Sequence, residues 1–204
     1  MPCNDLISNS DIENIYKDDN LIVTNSILSN CETDDSKKSL IKIFDKDSDC
    51  MLQRDIERVY FRNKELLSKK EELGKVVKHE YFILKDEFQG KKIASSVHVK
   101  ELEAYRRNNF NEIQLDAAWD GLVVWKKMFF KFASVKDESL IKIAIQRYLR
   151  EIKNMSIEEI EKAIKNKPFS ISLHYLKDDN IDFKEWVYNG FGKIGLAKMY
   201  KEIA

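Results

Sequence analysis

The residues of this chain best suited to chemistry are Gln89-Gly90-Lys91-Lys92. They stand between an apolar run, Val76–Leu84, and a segment whose apolar residues Ile93, Val97, Leu102 and Tyr105 fall three to five apart. If the run is a strand and the segment a helix, the first N–H groups of the helix have no intrahelical partners and face whatever lies before the positive end of its dipole. An anion is the natural guest, and Lys91 and Lys92 add two charges beside those donors. The same residues read equally as a tight strand-to-helix connection with two solvated lysines, because a single glycine is a weak phosphate signal.

The elements that must position this turn can be read on either side of it. Val76, Val77, Tyr81, Phe82, Ile83 and Leu84 form a short run rich in β-branched and aromatic residues, which predicts a buried strand. The helix beginning at Lys91 meets stop chemistry at Asn108-Asn109. Glu112–Ala117 then alternates polar Glu112, Gln114 and Asp116 with Ile113 and Leu115, which predicts a second strand, and a β–α–β unit of this length is normally a right-handed parallel crossover. Asp120-Gly121 ends that strand and starts another helix.

Over Val76–Phe132 the order and spacing resemble the GCN5-related N-acetyltransferases. Their phosphate-binding signature is Gln or Arg, two variable residues, Gly, one variable residue, then Gly or Ala. Gln89-Gly90-Lys91-Lys92-Ile93-Ala94 fits the first and last positions, with Lys92 standing where the family has glycine. Ile113–Ala117 followed by Gly121–Phe130 resembles the family's later strand, helix and closing block, with Trp125 in the place of a common tyrosine and Phe129 in that of a glycine. The resemblance covers about a quarter of the chain.

The resemblance implies an α/β (α+β) fold, a mixed central sheet with flanking helices over residues 1–132 with a variable N-terminal segment; after Phe132 the residue pattern itself turns helical, which predicts a mainly helical extension over 133–204. The resemblance also implies acetyl-CoA as the acyl donor and an amine acceptor, small molecule or protein, that the sequence does not name. The pyrophosphate would be held by N–H groups from Gly90 to Ser95, with Gln89, Lys91, Lys92, Ile93 and Ala94 around it, and the pantetheine arm by the strand backbone at Phe82, Ile83 and Leu84. His79 and Glu80 become candidates for the base, although both also read as an ordinary polar strand end. Trp125 occupies the place from which tyrosine often protonates the leaving thiolate, and an indole has no proton to give in the useful range. Tyr81 then does so, or the thiolate leaves unassisted, or activity is lost and the chain is a CoA-binding or protein-binding module. Trp125 is also good core material beside Met128 and Phe129.

The composition narrows the classes. The chain has 204 residues, with Lys+Arg 35 against Asp+Glu 35 and a charged fraction of 34%. Zero net charge gives no long-range pull toward nucleic acid, which weighs against a nucleotide or nucleic-acid binder built on Lys91-Lys92 and Arg106-Arg107. No apolar run approaches the roughly 20 residues that span a bilayer, and MPCNDLISNSD lacks a basic stretch followed by an apolar core, so a cytoplasmic protein is expected. Cys3, Cys31 and Cys50 read as free thiols, and His98 and His174 as structural or surface histidines without ligand-spaced neighbours.

Elsewhere, Leu21–Val23 and Leu40–Phe44 are apolar islands, strands or single helical turns, and Asn30–Lys38 reads as an exposed loop. Ile56–Phe61 and Glu65–Ser68 are expected as a hairpin turning across Arg62-Asn63-Lys64, with one helix through both as the competing reading. Leu140–Ile152 predicts an amphipathic helix, and Ser156 with Glu159 a capping box for a second helix ending before Pro168. Ile171–Tyr175 is expected as a strand and Trp186–Ile203 as a closing helix. The helical stripes need partners, on the core or in a homodimer.

Overall fold

Ser8 and Asp11 start the first helix. The Ser8 hydroxyl accepts the Asp11 N–H at 3.0 Å, and Ile12, Ile15 and Tyr16 bury one face of α1 (Asn9–Tyr16). The computed structural model describes residues 6–17, 21–29, 36–45, 54–82, 93–118, 121–164, 168–178, 180–189 and 196–203. The expected phosphate turn between Leu84 and Ile93 lies outside them, as does the end of the strand expected before it. The chain forms two units, Met1–Leu115 with Lys201–Ala204, and Asp116–Tyr200; the sequence expectation set its boundary after Phe132.

After α1, unit 1 holds β1 (Leu21–Ser29), β2 (Ser36–Asp45), β3 (Arg54–Glu65), β4 (Leu73–Phe82), α2 (Ile93–Arg107) and the start of β5 (Glu112–Ala117). The strands lie in the order β1-β2-β3-β4-β5, antiparallel up to β4, while β4 and β5 are parallel. This is a mixed sheet with flanking helices, and the β4–α2–β5 crossover follows the sequence expectation. So does the end of α2: Asn109 is left-handed at φ 56° and the Phe110 N–H reaches back to the Tyr105 carbonyl at 3.0 Å.

Two expectations are corrected here. Arg62-Asn63-Lys64 is not a turn but part of the unbroken strand β3, where a register shift between Phe61 and Lys64 lets Arg62 and Asn63 bulge. The chain reverses instead across 66–72, with Glu71 left-handed at φ 67°. Lys37 and Lys38 are strand rather than loop, and Lys37 is buried because its ammonium donates to the Ile7 carbonyl at 3.0 Å and to Asn9 Oδ1 at 2.9 Å.

Glu112 secures the real turn. Its carboxylate accepts the Leu67 and Ser68 N–H groups at 2.8 and 2.9 Å and the Gln114 amide at 2.8 Å. Glu112→Ala strands two backbone donors at once. It is expected to lower stability by about 2–3 kcal/mol, since hydrogen bonds to charged groups exceed neutral ones; the urea midpoint measures it. Gly74 lies beside this turn, where an added Cβ would stand 2.6 Å from Asn111 Oδ1, the acceptor of the Lys75 N–H.

Unit 2 contains α3 (Gly121–Lys127), β6 (Lys131–Phe132), α4 (Val135–Glu151), α5 (Ile157–Ile164), α6 (Phe183–Asn189) and most of β7 (Ala197–Glu202), which is antiparallel to β6. The stripe Ile141, Ala144, Ile145, Tyr148 and Leu149 is buried as expected, and Tyr148 packs its ring on Phe183 and Trp186. The capping box is present: the Ser156 N–H donates to Glu159 at 2.8 Å and the Glu159 N–H to the Ser156 hydroxyl at 3.3 Å. Ile171–Tyr175 is not a strand; Leu173–Leu176 is a 3-10 turn that keeps both Ile171 and Leu176 buried. Trp186–Ile203 is not one helix, because α6 ends at Asn189, before Gly190. Ala197 and Met199 then alternate with exposed Lys198 at the period of a strand. No helix among the described residues is long and apolar enough to cross a membrane.

Candidate functional site

Cross-strand register sets a polar row beneath α2. Ser39 of β2 pairs with Arg58 of β3, and Arg58 with His79 of β4, so these three side chains share one face, flanked by the rows Lys37–Tyr60–Val77 and Ile41–Ile56–Phe82. All three are buried, and the Arg58 side chain is wholly enclosed. A guanidinium in that position requires a counter-charge, which α2 supplies from its own apolar stripe. Glu101 Oε1 accepts from Arg58 Nε at 3.0 Å, lies 2.9 Å from Arg58 Nη2, and accepts from the Tyr16 hydroxyl at 2.7 Å. The other carboxylate oxygen lies 3.8 Å from His98 Nδ1. His98 Nε2 is 3.1 Å from the Lys201 ammonium, which can only donate, so the imidazole proton falls on the side facing Glu101.

The ionisation of this cluster follows from burial and proximity. Burial alone would raise the Glu101 carboxyl, but the Arg58 guanidinium, helped by the hydrogen bond from the Tyr16 hydroxyl, holds it well below the usual carboxylate range. Burial and then the Glu101 charge push the Tyr16 and Tyr105 hydroxyls well up. His79 goes well below the ordinary imidazole range, first through burial and then through Arg58, with Glu101 opposing. It is therefore a neutral ring, its Nε2 lying 3.5 Å from the Tyr105 hydroxyl.

This has a sign that can be measured. An unfolded chain protonates His79 below about its ordinary 6.5, whereas the folded protein, with Arg58 on β3 and His98, Glu101 and Tyr105 on α2 around the ring, refuses that proton. The stabilising contribution is complete above the unfolded value and is lost as pH falls below it, at a slope of about 1.4 kcal/mol per pH unit. Glu101, also depressed, adds loss in the same direction at lower pH. Urea titrations across this range are expected to show the slope in the parent and a flattened upper part in His79→Phe.

One irregularity lies beside the cluster. Arg58 pairs with His79 but Glu57 pairs with Tyr81, so Glu80 is an extra residue on β4, a bulge. Among the described residues, the parallel register with β5 runs from Val76–Glu112 to His79–Leu115, although β4 continues to Phe82. The Glu80 and Tyr81 peptides thus lie past the end of the β4–β5 ladder, an arrangement that an extended, amide-containing molecule can join as an added strand.

The structure separates the residues expected in the site. His79 is enclosed under α2, while Glu80 is exposed and ion-paired with Lys78 at 2.7 Å. Tyr81 and Phe82 are in β4, Phe82 half-buried with the Arg58 guanidinium 5.9 Å from its ring centre. Ile93 opens α2, with Ala94 half-buried and Ser95 exposed. Ile83, Leu84, Gln89, Gly90, Lys91 and Lys92 lie outside the described residues. Trp125 belongs to α3 in unit 2, half-buried and edge-on to Phe130 at 5.1 Å. Phe129 is exposed and left-handed at φ 66°. Arg58, Glu101, Tyr16, Tyr60 and Tyr105 were not among the expected site residues.

The chain is thus an α/β protein whose mixed sheet has a parallel β–α–β step. Among solved structures it is similar to an acetyltransferase of the GNAT family from Staphylococcus aureus Mu50, at 8% identity over 82% of this chain and 68% of that one, with a TM-score of 0.35. It is also similar to a nourseothricin acetyltransferase, at 10% identity over 96% of this chain and 95% of the other, with a TM-score of 0.39. Likeness at this level says nothing of which residues do chemistry. No protein-family model and no curated protein matches the sequence.

Proposed function

We propose that the chain is an N-acyltransferase that moves an acetyl group from acetyl-CoA to an amine. The observation that carries this reading is the Glu80 bulge at the point where the parallel β4–β5 register ends. It turns the Glu80 and Tyr81 peptides into a short strand edge, followed in sequence by Gln89–Ala94, which the sequence reads as a phosphate turn. Acetyl-CoA would supply the activated acyl carbon and a thiolate that departs as the amine nitrogen bonds to that carbon. The chain's own part is to align the donor along the edge and to receive the proton that the nitrogen must lose. Exposed Glu80 can take that proton and pass it to solvent, whereas His79 is enclosed and acts on the strand from within.

Calorimetric titration with acetyl-CoA is the test. Saturable binding is expected, and Gly90→Val should weaken it by about tenfold or more, equivalent to roughly 1.4 kcal/mol. Absence of binding by acetyl-CoA and by longer acyl-CoAs would sink the proposal. A second reading, a CoA-binding module without chemistry, is favoured by Trp125, which packs on Phe130 and has no proton to give in the place where the sequence resemblance expects a tyrosine. It would take first place if the protein binds CoA yet releases no thiol with any amine in a screen.

A further inference from the structure

The buried Arg58–Glu101 pair sits where the β3–β4 register slips, beside the proposed donor edge. The guanidinium holds two directions at once. Nε and Nη2 are engaged with Glu101, while Nη1 donates to the Glu57 carbonyl at 3.0 Å. Glu57 and Arg58 are the two β3 residues between which the register slips to accommodate Glu80. A bulge interrupts the ladder locally, and the Arg58 fork supplies a hydrogen bond to the strand carbonyl there. Glu101 fixes the fork's orientation from α2, and the Tyr16 hydroxyl ties the same carboxylate oxygen to α1. A buried ion pair seldom stabilises more than a well-packed apolar pair of the same volume, so its geometry is the better guide to its use. A lysine at 58 could meet Glu101 but has no planar fork to span both partners.

We propose that Arg58 and Glu101 are positioning residues that clamp the β4 bulge and thereby fix the Glu80 and Tyr81 peptides in the arrangement that receives the acyl donor. The functional half of this rests on the acyltransferase reading; the clamp itself does not. The pair touches no reacting atom, and its effect passes through the backbone of β3 to β4.

The experiment combines amide hydrogen exchange with CoA titration on two variants. The triple variant Arg58→Met, Glu101→Leu, Tyr16→Phe removes the clamp while keeping the site apolar and filled. Arg58→Lys keeps a cation opposite Glu101 but loses the donation to Glu57, and it decides the matter if the triple variant does not fold. In either variant, exchange at Glu80 and Tyr81 is expected to quicken by about tenfold or more while Val76 and Val77 change less, because the opening is local. CoA affinity should fall by a similar factor. Unchanged exchange at Glu80 and Tyr81 in a folded variant overturns the clamp. A parent protein that binds no acyl-CoA overturns the acyltransferase reading instead, and the exchange data still decide the clamp.

Discussion

Glu101→Leu is expected to cost about 3–5 kcal/mol of stability, because removing one partner of a buried pair leaves the other charge uncompensated. The stranded group would be the Arg58 guanidinium, whose side chain has no exposure to water and which pairs with the lost carboxylate through one hydrogen bond from Nε and the close approach of Nη2. The Tyr16 hydroxyl would lose its acceptor as well. The paired change Arg58→Met with Glu101→Leu should recover much of that loss, since no buried charge then remains. Urea unfolding of the parent, the single and the double variant measures the coupling. A single variant within about 1 kcal/mol of the parent would place the cluster in contact with water, where exposed pairs are worth little.

Tyr105→Ala should cost about as much by a different route. The Tyr105 ring meets Tyr60 at 6.2 Å, Phe110 at 5.6 Å and His79 at 6.1 Å between centres, at steep angles throughout. Deleting a buried aromatic removes its transfer energy and leaves a cavity, about 3–5 kcal/mol in cores that cannot collapse. Tyr105→Phe keeps the ring and should lose about 1 kcal/mol, the net worth of an ordinary hydrogen bond. The difference between the two variants in thermal unfolding separates packing from the hydroxyl.

Sequence periodicity revealed the β–α–β step because Glu112–Ala117 and the stripe from Val97 to Tyr105 each keep one period over their whole length. It failed where two periods coexist. Ala197, Met199 and the residues before Gly190 were merged into one helix, although the alternation of Ala197, Lys198 and Met199 is that of a strand. Helix α1 was missed, yet Ser8 and Asp11 carry capping chemistry and Ile12, Ile15 and Tyr16 helical spacing. The buried cluster left a quieter trace. Arg58 stands between Ile56 and Tyr60 on the inward face of a strand, and Glu101 between Val97 and Tyr105 on the inward face of a helix. Each charge at a core position calls for the other, but local pattern cannot say that residues 43 apart in sequence will meet. The bulge at Glu80 was hidden for the same reason, since it exists only relative to Glu57 and Arg58 on the neighbouring strand.

Lys201 reaches His98 at 3.1 Å, and the Ile203 N–H reaches the Asn111 carbonyl at 2.9 Å. Unit 1 therefore takes in residues that leave the ribosome only after all of Asp116–Tyr200 has been made. At elongation rates of about 5–20 residues per second, β1 to β5 wait for seconds, long compared with the time in which strands and helices form. During that interval His98 is without its Lys201 contact and the Asn111 carbonyl without the Ile203 N–H. A stall anywhere in unit 2 leaves unit 1 without these two contacts.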